Sequence, residues 1–340
     1  MMNLLSLPLD EIENQILQLD LPKYRVSQIM QWLSRGCRNF DEMTNLPQNL
    51  RKQLSEQYEL FAPQLLRKQV SAEDGTMKFL WGLTDGHSVE TVLMRYHYGN
   101  SVCISSQVGC RQGCAFCAST LGGLVRSLSA FEMYDEVLFT ERISGLQVSN
   151  IVLMGIGEPL DNYDQVISFL RMISSADMRN IGLRHITLST CGIPEKMKTL
   201  ADEHLPITLS VSLHAPDDET RSRIMPSNRG VDAVMQACSY YIRTTGRRIS
   251  FEYAMIDGVN DSLWQAERLT TLAKQIGAHV ILIPLNYVEE RNLQPSSAAV
   301  VASFRDALTR NGVNVTVRRR LGSDIDASCG QLRRRYSSER

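Results

Sequence analysis

The sequence predicts an α/β fold, an open, partial (β/α)6 barrel with a small helical N-terminal accessory domain. Three observations carry this. Between Val102 and Asn311, short apolar runs rich in β-branched residues alternate with longer stretches of helical periodicity. That pattern is the mark of parallel strands joined by helical crossovers. Polar and glycine-bearing turns follow the apolar runs directly, at the strand ends where such folds place functional groups. At 340 residues and 43% hydrophobic content, the chain is long and apolar enough to bury a core of this kind.

Residues 1–75 read as short helices. Leu9 to Leu17 has apolar residues at helical spacing, Tyr24–Leu33 sets Val26, Ile29, Met30 and Leu33 on one face, and Leu50–Leu60 resumes the pattern after Asn45-Leu46-Pro47 breaks it. Through Leu80 there are nine Lys/Arg against ten Asp/Glu, so a packing domain and an RNA-docking domain are both open. Residues 76–101 form a strand extension: MKFLWGL and SVETVLMRY flank an Asp85-Gly86 turn. Glu90 shares a strand face with Val92 and Met94. It is either a desolvated carboxylate suited to proton transfer or an exposed edge glutamate.

Residues 102–312 supply the six β/α units. The strands are Val102–Ser106, Asn150–Met154, His185–Thr190, Ile207–Leu213, Arg248–Met255 and His279–Pro284. Helices are expected over Ser129–Ile143, Tyr163–Ser174, near Lys196–Ala201, and over Val231–Thr244, Ser262–Ile276 and Ser296–Asn311. Ser129 followed by Glu132 is a capping-box pattern. Residues 313–340 open with the strand-like VNVTVRRR and continue into a polar loop holding Cys329 beside Gly330. Residues 311–340 carry seven Lys/Arg and three Asp/Glu, the clearest local basic excess.

The first strand runs into Cys110, Cys114 and Cys117, spaced C-x3-C-x2-C with Phe116 before the last. Three cysteines so close point toward one centre. A structural zinc site takes four protein ligands, whereas three thiolates on a four-iron cubane leave one iron open. The second, third, fourth and sixth strands lead into Gly155-Ile156-Gly157-Glu158-Pro159, Ser189-Thr190-Cys191-Gly192, Ser212-Leu213-His214 and Pro284-Leu285-Asn286. Taken singly these are turn caps; as a set at one barrel face they form a ligand-binding rim. Eight unevenly spaced cysteines do not make a disulfide scaffold and fit a reducing compartment, so a cytoplasmic location is expected. No secretory leader pattern and no apolar run near the ~20 residues of a membrane helix occur. Net charge is −1, so any RNA contact must come from local patches.

CISSQVGC with its following cysteines, GIGEPLDN, ITLSTCG, SVSLHAP, FEYAMIDGVND, LIPLN and DIDASCGQL together resemble the RlmN/Cfr family of radical S-adenosylmethionine (SAM) RNA methyltransferases, and PKYRVSQIMQWL is similar to that family's accessory domain. The GEPL and STCG turns resemble the RlmN branch more than Cfr. Ser227 departs from the small apolar residue or Ile that the resemblance leads one to expect there. The resemblance implies a radical-SAM barrel with Cys110, Cys114 and Cys117 on a [4Fe-4S] cluster. It implies SAM contacts from Gly157, Glu158, Ser189, Ser212, Leu213, His214 and Asn286. It makes Cys329 the methyl-carrying cysteine, Cys103 the second catalytic thiol and Glu90 the proton-handling carboxylate. The implied reaction methylates carbon 2 of adenosine 2503 in 23S rRNA and of adenosine 37 in tRNAs, using two SAM per turnover, an S-methylcysteine intermediate and a transient disulfide.

Cfr-type methylation at carbon 8 is the alternative, and a catalytically inert, zinc-stabilised RNA-binding module is the alternative of another class. Implied partners are 23S rRNA, tRNA and an external electron donor such as flavodoxin or ferredoxin, with the chain a monomer away from membranes. Arg318, Arg319, Arg320, Arg333, Arg334 and Arg335 are the candidate phosphate contacts, and Cys37, Cys191 and Cys238 read as structural thiols.

Overall fold

The computed structural model describes residues 2–325, apart from Asp20, Tyr287 and Glu289. In the N-terminal segment, β1 (Met2–Asn3) pairs in parallel with β2 (Tyr58–Glu59), closing a unit around α1 (Leu9–Leu17), α2 (Lys23–Ser34) and α3 (Gln48–Gln57). Each of these helices starts directly after a proline, Pro8, Pro22 or Pro47, with φ of −58°, −59° and −56°. The ring presets that angle, so the chain enters each helix at little entropic cost. Ile12, Ile16, Val26, Ile29, Leu33, Leu50 and Leu54 are buried and join the apolar core that continues into the rest of the molecule. Polar ties cross the same junction: Tyr134 Oη donates to Ser34 O at 2.9 Å, and Arg38 pairs with Asp135 with both side chains buried.

The main sheet has ten strands in the order β14-β13-β12-β11-β10-β9-β6-β5-β4-β3. Its antiparallel edge is β3 (Gln64–Val70), β4 (Met77–Gly82) and β5 (Ser88–Tyr96), leading into β6 (Gly99–Cys103). β3 lies inside the segment read from sequence as helical. QLLRKQV lacks clean alternation because it is an edge strand, exposed or half-buried throughout, and Arg67 and Lys68 sit within it as edge strands often require.

After β6 come a small hairpin of β7 (Gln107–Gly109) and β8 (Leu124–Ser127), then α4 (Ala130–Ser144), whose Ser129–Glu132 capping box forms. The parallel strands β9 (Val148–Leu153), β10 (Ile186–Thr190), β11 (Thr208–Ser212), β12 (Ile249–Met255) and β13 (His279–Pro284) alternate with helices. These are α5 (Tyr163–Ser174), α6 (Pro194–Asp202), α8 (Val231–Thr245), α9 (Leu263–Ile276) and α10 (Ala298–Arg310), and β14 (Val315–Val317) adds a seventh parallel strand. α7 (Asp218–Ile224) has no apolar periodicity to announce it; it buries only Arg221 and Ile224 and is capped by Asp217, which accepts from Thr220 N at 2.8 Å.

The sheet is curled enough for its ends to meet. The turn between β3 and β4 clasps the chain beyond β14. Asp324 accepts from Ser71 Oγ at 2.6 Å and Ala72 N at 2.8 Å, while Asp74 accepts from Gly322 N at 2.8 Å.

Candidate active site

Two adjoining cavities open at the C-terminal ends of the parallel strands. The first, of about 270 Å³, is lined by Cys110, Cys114, Cys117, Phe116, Gly157, Glu158, Ser189, Ser212, His214, Glu252 and Asn286. The second, of about 350 Å³, is lined by Glu90, Val92, Met94, Cys103, Asn286 and the run Arg318 to Ser323. Met154, Gly155, Ile283, Asn286 and Arg318 belong to both walls.

The cysteine loop is held open by the hairpin at its base. Gly109 has φ +82°, and a Cβ there would lie 2.0 Å from Gly123 O, so the two strands approach only because residue 109 is glycine. Cys110 N donates to Gly123 O at 2.9 Å, and Thr120 Oγ1 donates to the carbonyls of Cys114 and Cys117 at 3.1 and 2.9 Å. Arg291 in turn donates to Thr120 Oγ1 at 2.7 Å. Burial pushes the Cys110 thiol up to about 12 and raises Cys114 as well, and the charge of neighbouring sulfur adds to the rise in each. Thiolates here therefore need a cation to hold them. Among the described residues no three His, Cys, Asp or Glu side chains converge on a point fit for a single ion. Three sulfurs spread around one cavity wall suit the larger cubane, which takes three thiolates and keeps one iron for another ligand.

The strand-end residues are tied together beneath the cavity. Glu158 is buried, and its carboxylate accepts from Cys191 N at 2.7 Å and Leu160 N at 3.0 Å, so it braces two turns. Burial raises its pKa above the carboxylate norm, against the opposing pull of those hydrogen bonds. Ser189 and Ser212 both donate to Glu252 Oε2, at 2.8 and 3.0 Å. His214 has φ +57°, accepts at Nδ1 from Ala254 N at 3.0 Å and stacks edge-on against Phe116. Burial, reinforced by Arg221, pulls it down to about 3, so it is a neutral imidazole carrying its proton on Nε2. Leu213 is different: its side chain is in the core and its carbonyl accepts from Arg221 Nε at 3.1 Å. The glycines also have a steric reason. A Cβ on Gly155 would sit 2.4 Å from Ile104 O, and one on Gly157, with φ +112°, 2.6 Å from Gln107 Cβ.

In the second cavity the sheet register sets the chemistry. Cys103 pairs with Val92, which places it diagonally from Glu90 on one face. Glu90 is buried rather than an exposed edge group, and its Oε2 lies 3.0 Å from Nζ of the fully buried Lys78. Burial pushes the Cys103 thiol up to about 11, with the Arg318 guanidinium pulling the other way. Arg318, Arg319 and Arg320 stand on the opposite wall. Cys329 and Arg333 to Arg335 lie outside the described residues.

Lys78 and Arg221 carry no motif, and Glu252 lies inside FEYAMIDGVND without being marked there as a site residue. Glu252 and Lys78 share the signal that singled out Glu90, a charge inside an apolar strand run, in ISFEYAM and MKFLWG. Cys191, read as structural, lines the three-cysteine cavity instead.

Comparison with known proteins agrees along the chain. Residues 104–269 match the radical SAM superfamily, and residues 2–60 match the ribosomal RNA large subunit methyltransferase N-terminal domain. The chain is 51% identical over 337 residues to a probable dual-specificity RNA methyltransferase RlmN from Lachnoclostridium phytofermentans, covering 98% of this chain and 95% of that one. It is 52% identical over 341 residues to the protein of that name from Desulforamulus reducens, covering 99% and 97%. A radical SAM methyltransferase from Sphaerobacter thermophilus superposes with a TM-score of 0.90 at 40% identity, covering 97% of this chain and 99% of that one.

Proposed function

Because this chain belongs to the RlmN family of radical SAM RNA methyltransferases, we propose that it methylates carbon 2 of adenosine 2503 in 23S rRNA and of adenosine 37 in tRNAs. The observation that carries this reading is the shared wall: the cavity bearing Glu90 and Cys103 opens onto the cavity bearing the three cysteines. A base entering the Glu90 cavity would lie beside a SAM bound in the three-cysteine cavity.

Cys110, Cys114 and Cys117 would hold the cluster, and the two SAM per turnover would be read by Gly157, Glu158, Ser189, Ser212, His214 and Asn286. The cluster, when bound, supplies the electron for reductive cleavage of SAM. Leu213 is assigned to the frame of that site. Ser189 and Ser212, oriented by Glu252, leave hydroxyl lone pairs for a ribose or amino donor. The neutral His214 offers an Nε2 proton to a ligand without adding charge. Arg318 to Arg320 give the second cavity a positive wall for phosphate.

The methyl is carried on Cys329. The S-methyl carbon of Cys329, after giving up one hydrogen atom to the radical derived from SAM, would bond to carbon 2 of the base; Glu90 would then take the ring proton, its bonding pair staying in the ring, and the one surplus electron would leave to the redox partner that supplied it. The Cys103 thiolate then attacks the Cys329 sulfur. An S–S bond forms, the bond from that sulfur to the transferred carbon breaks, and the carbon keeps the pair and takes a proton. The disulfide is transient and is reduced by external thiol.

The test is anaerobic reconstitution with iron and sulfide, followed by mass spectrometry of nucleosides from treated 23S rRNA and tRNA. 2-Methyladenosine in both is expected. 8-Methyladenosine would move the protein to Cfr-type chemistry. Bound zinc with no methylated product would leave only an RNA-binding module.

A further inference from the structure

Lys78 is sealed from solvent in the strand beside Glu90, with its Nζ 3.0 Å from Glu90 Oε2 and the two side chains 0% and 2% exposed. The register explains the meeting. Lys78 faces Val92 and Leu80 faces Glu90, so Lys78 and Glu90 are diagonal neighbours on the cavity face of the sheet. Such a pair is a poor device for stability, because apolar residues of similar volume do as well or better in a core. Its place is informative: Glu90 lines the second cavity on the strand next to Cys103, with Lys78 behind it on the following strand.

We infer that Lys78 is a positioning residue for the ring-deprotonation step, its buried ammonium holding Glu90 as an oriented carboxylate before the base enters. The inference rests on the assignment of Glu90 as the proton acceptor. The step itself is a proton transfer: the adenine C–H bond breaks, the proton passes to a Glu90 oxygen, and the bonding pair stays in the ring. Lys78 gains no proton and loses none. The other charged or titratable groups on the cavity side of Glu90 are Cys103 on β6, Tyr96 on its own strand, and Arg318, Arg319 and Arg320 across the cavity, with Glu136 on α4 behind the sheet. Glu136 is already committed, accepting from Thr91 Oγ1 at 2.6 Å and Ser105 N at 3.0 Å. The arginines stand on the wall where RNA phosphate would meet them. Lys78 is a cation at ion-pair distance from the carboxylate.

Without the ammonium the carboxylate loses the contact that aims it, so loss of the ring proton should slow while earlier steps do not. The experiment uses reconstituted holoenzyme carrying Cys103→Ala, so that release of the adduct does not enter, and RNA deuterated at adenine carbon 2. Release of deuterium from the ring is followed with Lys78, with Lys78→Met and with Lys78→Arg, beside S-methylation of Cys329 in the same samples. The expected result is a fall of about 100-fold in deuterium release with Lys78→Met, unchanged S-methylation, and recovery of release with Lys78→Arg. Undiminished release, or release and S-methylation falling together, would overturn the inference. Glu90→Gln in the same assay separates the two readings: undiminished release there would remove Glu90 as acceptor, and this inference with it. Should Lys78→Met not fold, Lys78→Gln, which keeps a donor but no charge, is read in the same way, and release equal to that with Lys78 would overturn the inference.

Discussion

His214 illustrates how one side chain is tuned by its frame. Its Nδ1 is spent on Ala254 N, its ring lies against Phe116, and burial holds it neutral down to about pH 3. The unfolded chain would protonate this histidine below about 6.5, so stability from it is complete above that pH and is lost as pH falls toward 3. His214→Gln should flatten the acid limb of a urea-unfolding series between pH 6 and pH 4, where one proton of linkage is worth about 1.4 kcal/mol per pH unit. Cys103 is tuned the other way, its thiol raised to about 11 by burial. Cys103→Ala should therefore accumulate a covalent protein–RNA adduct, seen as a shifted band on denaturing gels, because no nucleophile remains to release Cys329. A Cys103→Ala enzyme that never builds the adduct would refute the disulfide step.

At the next level up, connections between elements decide what the site can hold. Gly155 stands where β9 leaves the sheet, and a Cβ there would meet Ile104 O at 2.4 Å and Ser105 N at 2.8 Å. Gly155→Ala must push apart the strands that carry Cys103 and Met154, at a cost of about 1–3 kcal/mol, measurable as a lowered urea midpoint. The clasp between the β3–β4 turn and Asp324 ties the two ends of the ten-stranded sheet together. Asp324→Ala removes the acceptor of both Ser71 Oγ and Ala72 N and should lower the urea midpoint of the folded protein. An unchanged midpoint would show that the clasp adds nothing to stability.

Across the full chain, the charge that matters is local. The sum is −1, yet Arg318, Arg319 and Arg320 stand together on the wall of the second cavity. Changing all three to Gln should weaken RNA binding and flatten its salt dependence by about 0.7–0.9 in log–log slope per lost phosphate contact. Filter binding across a salt series reads this, and an unchanged slope would place the RNA elsewhere. The helical N-terminal unit shares one core with the barrel and is pinned to α4 by Arg38 and Asp135. Among the described residues no helix is long and apolar enough to cross a membrane.

The order of helices and strands, the cysteine triplet and the turn sequences at the strand ends were legible in the chain, because periodicity and ligand spacing are local properties. β3 and α7 were not: one is a charged edge strand and the other a short capped turn of polar residues, and neither leaves a periodic apolar trace. The partnership of Lys78 with Glu90, the role of Glu252 under two serines and the meeting of both cavities at Arg318 depend on strand register and on the curl of a ten-stranded sheet. Those are set by packing between residues far apart in sequence. Only the folded chain could decide that a lone charge in an apolar strand had a partner, and which cavity it faced.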